Sequence, residues 1–193
     1  RLPAQWRKPD VVAASCLLRA QETALRVFPE SQVEVAPYIS EVHWDQPLLH
    51  PNAKPSEFFE QREHIEDTLG LESVRRLSYK HAPLVEDCGP PDWESFLSWL
   101  RVLPALSGKG RRSSEQVRPL VAVVSHGQFL VRLFRANGWE IGELKNVQVH
   151  HAFVPSLENP SDVKLLSLQS VLPGFEAKQY DLSDDESDYD EQD

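Results

Sequence analysis

The sequence predicts an α/β fold on a mostly parallel sheet, because it twice shows a short apolar run that feeds straight into an amphipathic helix. These runs are Val11 to Ala14, ahead of a helical stretch ending near Phe28, and Leu120 to Val124, ahead of Gln128 to Asn137. A continuous apolar run of this length reads as a strand buried on both faces, the habit of parallel sheets. A third observation agrees: the chain between the two runs is mostly helical in pattern, and alternating strands and helices give α/β architecture.

In the first unit Ser15 follows the strand and is read as the N-cap of the helix. Leu17, Leu18, Ala20, Ala24, Leu25 and Phe28 give that helix an apolar face at near-3.6 spacing. Arg19 falls in its first turn, where the positive end of the helix dipole repels a cation. An arginine so placed does little for stability but adds to the attraction of a bound phosphate. Taken alone, the segment reads as simply as an ordinary helix with a solvent-facing Arg.

Next, Pro55 to Leu69 forms a charged helix that ends at Gly70, and Asp92 caps a second helix running to Pro104. The aromatic face of that second helix (Trp93, Phe96, Trp99) reads as core. Ser107 to Pro119 is a polar, basic loop projecting from the surface. In the second strand–helix unit His126 and Gly127 stand at the strand exit, where open α/β sheets bind ligands. His126 is placed for chemistry, and Gly127 lets the backbone approach an anion at the following helix N-terminus. Val147 to Val154 and Val163 to Leu168 read as two late strands joined by a turn at Glu158 to Ser161, with Asn146 shaping the entry to the first.

Composition narrows the classes of function. The chain has 193 residues, enough for one domain with a sizeable core, and a net charge of -10. Residues 181–193 hold eight acidic side chains and no Lys or Arg, so residues 1–180 carry 22 acidic against 20 basic groups. The body is nearly neutral, and the tail reads as disordered. Ser183 and Ser187 each precede an acidic residue by three positions, the pattern of acid-directed kinases. Neither the neutral body nor the basic loop, which lacks interleaved aromatics, suggests nucleic-acid binding.

Two cysteines, Cys16 and Cys88, give no disulfide framework, and no stretch approaches the roughly 20 apolar residues of a membrane span. The cytoplasm is the expected compartment, with the nucleus also open. No His-x-x-x-His or Cys-x-x-Cys spacing occurs, so neither metal nor cofactor is expected. Nothing in the sequence sets an oligomeric state.

Ala14-Ser15-Cys16-Leu17-Leu18-Arg19-Ala20-Gln21-Glu22-Thr23-Ala24 resembles the Ser-x-Leu-x-Arg-Ala-x-x-Thr-Ala signature of the histidine phosphatase superfamily, also called phosphoglycerate-mutase-like. Val123-Val124-Ser125-His126-Gly127 resembles its late Ser-His-Gly element, and Tyr38 to Trp44 the intervening segment with an acid after an apolar residue. The resemblance covers about residues 10 to 170. The resemblance implies a three-layer α/β/α sandwich over residues 1–180. It also implies a phosphomonoester hydrolase acting through a phosphohistidine. Arg19 and His126 would cradle the phosphoryl oxygens with Gly127, and Glu41 would protonate the leaving oxygen. The substrate would be a phosphorylated small molecule or a phosphoprotein.

The superfamily's nucleophile sits in an Arg-His-Gly motif at the end of its first strand, and no such motif precedes Asp10. A second family strand only ten residues in, with no initiator Met, leads us to expect the missing strand upstream of Arg1; the competing expectation is a member without it. As given, the chain is expected to form no phosphohistidine. His43, His50, His64, His81, His150 and His151 lack a strand end that would deliver them as the nucleophile, and His64 reads as a solvated or salt-bridged surface residue. A phosphoglycerate mutase is the alternative enzyme, disfavoured because 47–55 does not match the dedicated mutase segment. A non-catalytic phosphate-binding module is the alternative outside enzymes.

Overall fold

The structure is a computed structural model that describes residues 8–41, 57–106, 119–140, 144, 149–152, 154, 168–170 and 178–179. The histidines His43 and His50, the 47–55 segment, the loop 107–118, Asn146, the 158–161 turn and the acidic tail 181–193 lie outside the described residues.

Four strands form an all-parallel sheet: β1 (Val11–Ser15), β2 (Val33–Ala36), β3 (Leu77–Ser78) and β4 (Val121–Val124), in the order β3-β2-β1-β4. This is an α/β fold on a parallel sheet, as the apolar runs imply. Every residue of β1 is buried, and its side chains alternate between two cores. Val12 and Ala14 join a cluster with Ala24 and Leu25 of α1 (Leu18–Val27), Phe58 and Ile65 of α2 (Phe58–Leu69), and Val74 of α3 (Leu71–Arg75). Val11 and Ala13 join the other cluster, with Phe96 and Trp99 of α4 (Trp93–Val102) and Phe129 and Phe134 of α5 (Gly127–Ala136). Each large apolar side chain fully buried this way contributes about 1.5–3 kcal/mol before entropy is counted.

Local signals explain most of the boundaries. Asp92 caps α4 as expected, its Oδ2 accepting from Ser95 N at 3.0 Å. Gly70, at φ +84, ends α2 in a conformation that side chains resist. Arg76, just after α3, donates to the carbonyl oxygens of Leu25 (3.2 Å) and Phe28 (3.0 Å), closing the C-terminus of α1. Ser15 does not cap α1. It completes β1, paired in register with Ala36, and the N-cap position falls to Leu17. Parallel pairing thus takes one residue more than the apolar run suggests.

The described parts of the late strands fall at or beside the two predicted stretches, of which 147–148, 153 and 163–167 lie outside the described residues. β6 covers His150–Ala152 and pairs antiparallel with β7 (Leu168–Ser170), while β5 (Trp139–Glu140) pairs antiparallel with β8 (Lys178–Gln179). Among the described residues the four-stranded sheet is the parallel one. Among the described residues no helix is long and apolar enough to cross a membrane, and no group of three or more His, Cys, Asp or Glu is gathered to hold a metal ion.

Candidate functional site

The carboxyl ends of β1 and β4 are neighbours in the sheet, with Ala14 in register with Val124. The chain therefore delivers Ser15 and His126 to the same edge, and the N-termini of α1 and α5 to the residues just beyond. Neither helix has an acidic residue in its first turn, so neither compensates its own positive end. That edge is where an open parallel sheet favours an anion.

His126 is the N-cap residue of α5 and is buried. Its Nε2 lies 2.9 Å from Ser15 Oγ, and its Nδ1 faces Glu41 Oε2 at 3.9 Å, beyond hydrogen-bonding distance. Arg19, in the first turn of α1, donates from Nη2 to the same Glu41 oxygen at 3.3 Å. Arg19 is half exposed, Glu41 mostly covered. The three residues expected from sequence to form a site thus meet through one carboxylate oxygen, although Glu41 is 22 residues from Arg19 and 85 from His126 in the chain.

Burial, and secondarily the Arg19 guanidinium, hold the His126 imidazole at about 3, far below its usual range. At neutral pH the ring is uncharged, so the formal charge of the empty site is one guanidinium against one carboxylate. An incoming anion competes with Glu41 for Arg19.

Gly127 is less demanding than expected. It opens α5 without a positive φ, and a Cβ at that position would meet Leu144 O at 3.5 Å, an ordinary contact. Of the other histidines that the structure describes, His150 packs against Phe134. His64 pairs with Glu22 at 3.4 Å on the surface, and His81 presents an edge to Trp99.

Three features escaped the sequence reading. Ser125 Oγ donates to Ile39 O at 2.7 Å, tying the strand before His126 to the turn before Glu41. That turn passes through Tyr38 at φ +65, rare for a side chain with a Cβ. Ser40, next to Glu41, is buried with no hydrogen-bond partner for its hydroxyl. The lone hydroxyls gave no advance signal, but the Tyr-Ile-Ser-Glu order marks a turn next to an acid.

Comparison of the chain with family models, with curated proteins and with solved structures finds no match.

Proposed function

We propose that this chain is the phosphate-holding body of a phosphomonoester hydrolase of the histidine phosphatase kind, with that superfamily's three-layer α/β/α arrangement. The observation that carries the reading is the meeting of Arg19, Glu41 and His126 at the carboxyl edge of a parallel sheet, beside two helix N-termini. Arg19 binds the phosphoryl oxygens, and His126 donates one N–H to them. Glu41, beside the phosphoryl group so bound, is the residue placed to give a proton to the leaving oxygen.

In the complete reaction a histidine nitrogen attacks phosphorus, the P–O bond to the alcohol breaks, and Glu41 protonates the departing alkoxide. Water then cleaves the phosphohistidine to inorganic phosphate and free imidazole. Within the described residues His126 does not serve as that nucleophile, since Ser15 occupies its Nε2.

The sheet supports a nucleophile delivered by a further strand. Among the described residues β4 pairs with β1 and with no other strand, and its residues are half-buried. An all-apolar strand with no charge, Pro or bulge is unusual at a sheet edge, where proteins normally block further pairing. A strand added there would end beside Ser15 and His126.

A second reading is a module of the same fold that binds phosphorylated ligands without turnover, favoured by the Ser15 hydroxyl that holds Nε2 of His126. Both readings require an anion at Arg19 and His126. Titrating the chain with inorganic phosphate, followed by NMR of the His126 side chain, tests this: saturable shifts that vanish in Arg19→Ala are expected, and no response would overturn both. Reading the coding sequence upstream of Arg1 then separates them. An apolar strand ending in Arg-His-Gly favours the hydrolase, and an in-frame start without one favours the module.

A further inference from the structure

Ser15 has no exposed surface, and among the described residues two hydrogen-bonding groups face its hydroxyl: His126 Nε2 at 2.9 Å and Leu17 N at 3.4 Å. The Leu17 amide can only donate, so it takes a lone pair of Oγ and leaves the hydroxyl proton to be placed. If Nε2 carried the imidazole proton, Oγ would accept from both neighbours and its own buried proton would have no acceptor. The ring's other nitrogen would then turn a lone pair toward the Glu41 carboxylate. If Nδ1 carries the proton instead, Ser15 donates to Nε2, both Oγ and Nε2 are satisfied, and an N–H is turned toward Glu41.

We propose that Ser15 is a positioning residue that locks His126 as the neutral Nδ1–H tautomer, aiming one uncharged donor at the side of the site where Glu41 and Arg19 meet. The assignment of tautomer stands on the geometry of Ser15, Leu17 and Glu41. Its use, donation to an oxyanion, rests on the phosphate reading above.

The sequence pattern makes the lock local and rigid. Ser15 is fixed as the last residue of β1, and the following peptide is fixed by Gln21, whose Nε2 donates to Cys16 O at 3.1 Å. His126 is fixed at the end of the adjacent strand. The ring therefore meets a hydroxyl whose backbone is held on both sides, and no rearrangement is needed when an anion arrives.

The tautomer can be read directly in the ¹⁵N-labelled chain from long-range ¹H–¹⁵N spectra, with His126 assigned by its loss in His126→Gln. A pyrrole-type Nδ1 and a pyridine-type Nε2 are expected at neutral pH. Ser15→Ala should shift the tautomer ratio roughly three- to tenfold toward Nε2–H, the worth of one hydrogen bond, and Ser15→Thr should restore it. A protonated Nε2 in the unaltered chain would overturn the proposal whether or not the variants fold, and so would a ratio unmoved by Ser15→Ala. Adding inorganic phosphate separates this from the functional reading: an Nδ1–H ring that ignores phosphate retains the lock and removes the phosphate site.

Discussion

Ser125 and Ile39 are joined by a 2.7 Å hydrogen bond, from the hydroxyl that precedes His126 to the carbonyl two residues before Glu41. This bond fixes the distance between the strand that carries the imidazole and the turn that carries the carboxylate. Ser125→Ala leaves the Ile39 carbonyl without that donor and should cost about 1–2 kcal/mol in urea unfolding. It should also alter the response of His126 to phosphate, because the turn that carries Glu41 loses its tie to the strand that carries His126. Ser125→Thr, which keeps the hydroxyl, should recover most of both. A full phosphate response in Ser125→Ala would mean that the turn holds itself.

The buried imidazole makes a distinct prediction about acid stability. Folded His126 takes up its proton only near pH 3, whereas the unfolded chain does so near 6.5. Above 6.5 neither state is protonated and the residue adds no pH dependence. As pH falls from 6.5 toward 3, the unfolded chain binds the proton first, so stability drops by up to about 1.4 kcal/mol per unit. His126→Gln removes this term. Between pH 6.5 and about 5 the unaltered chain should lose about 2 kcal/mol more than the variant. His150, which burial also lowers, is present in both and cancels. Parallel unfolding curves in the two proteins would mean that the imidazole is hydrated and titrates normally.

The turn that leads to Glu41 stores strain at two facing residues. Tyr38 sits at φ +65, held by its amide donating to Cys88 O at 2.7 Å and by Asp92 N donating to its carbonyl at 2.9 Å. Gly89, at φ +59 and ψ 173, lies against the Tyr38 ring, and a Cβ there would come within 2.9 Å of it. That backbone region is almost confined to glycine, so Gly89→Ala should cost about 1–3 kcal/mol. Pairing it with Tyr38→Ala removes the ring contact, so the double variant should lose less than the sum of the two. Strict additivity in urea unfolding would leave backbone conformation as the sole cause.

Much of this was legible because it depends on local pattern. The apolar runs at 11–14 and 121–124 announce strands of a parallel sheet, and Asp92 and Gly70 announce helix limits in their own chemistry. Arg19, Glu41 and His126 were legible as a set through resemblance alone, since no periodicity relates residues so far apart. What was not legible depends on pairing. Ser15 looks like a helix cap until β2 is in place beside it. β2 itself is a four-residue strand, Val33–Ala36, whose alternation is too short to stand out. The place of β4 at the end of the described strand order is a property of pairing, and its sequence looks like that of an interior strand.

A buried polar contact between α1 and α2 gives the last prediction. Gln21 Nε2 donates to Gln61 Oε1 at 2.6 Å and to Cys16 O, while Gln21 Oε1 accepts from the Tyr79 hydroxyl at 3.0 Å. Both glutamines are fully buried, and burial pushes the Tyr79 phenol above its usual range, keeping it a donor. Gln61→Leu strands an N–H of Gln21 in the core and should cost about 1–3 kcal/mol. Gln21→Leu should cost at least as much, because it deprives Cys16, Gln61 and Tyr79 together. With both replaced, neither amide faces an apolar wall alone, so the double variant should lie about 0.5–3 kcal/mol above the additive sum. Urea unfolding of the four proteins completes the cycle. A coupling near zero would mean that water satisfies each amide when its partner is gone, and the two helices would then be held by the apolar contacts around Leu25, Phe58 and Ile65 and by the His64–Glu22 pair.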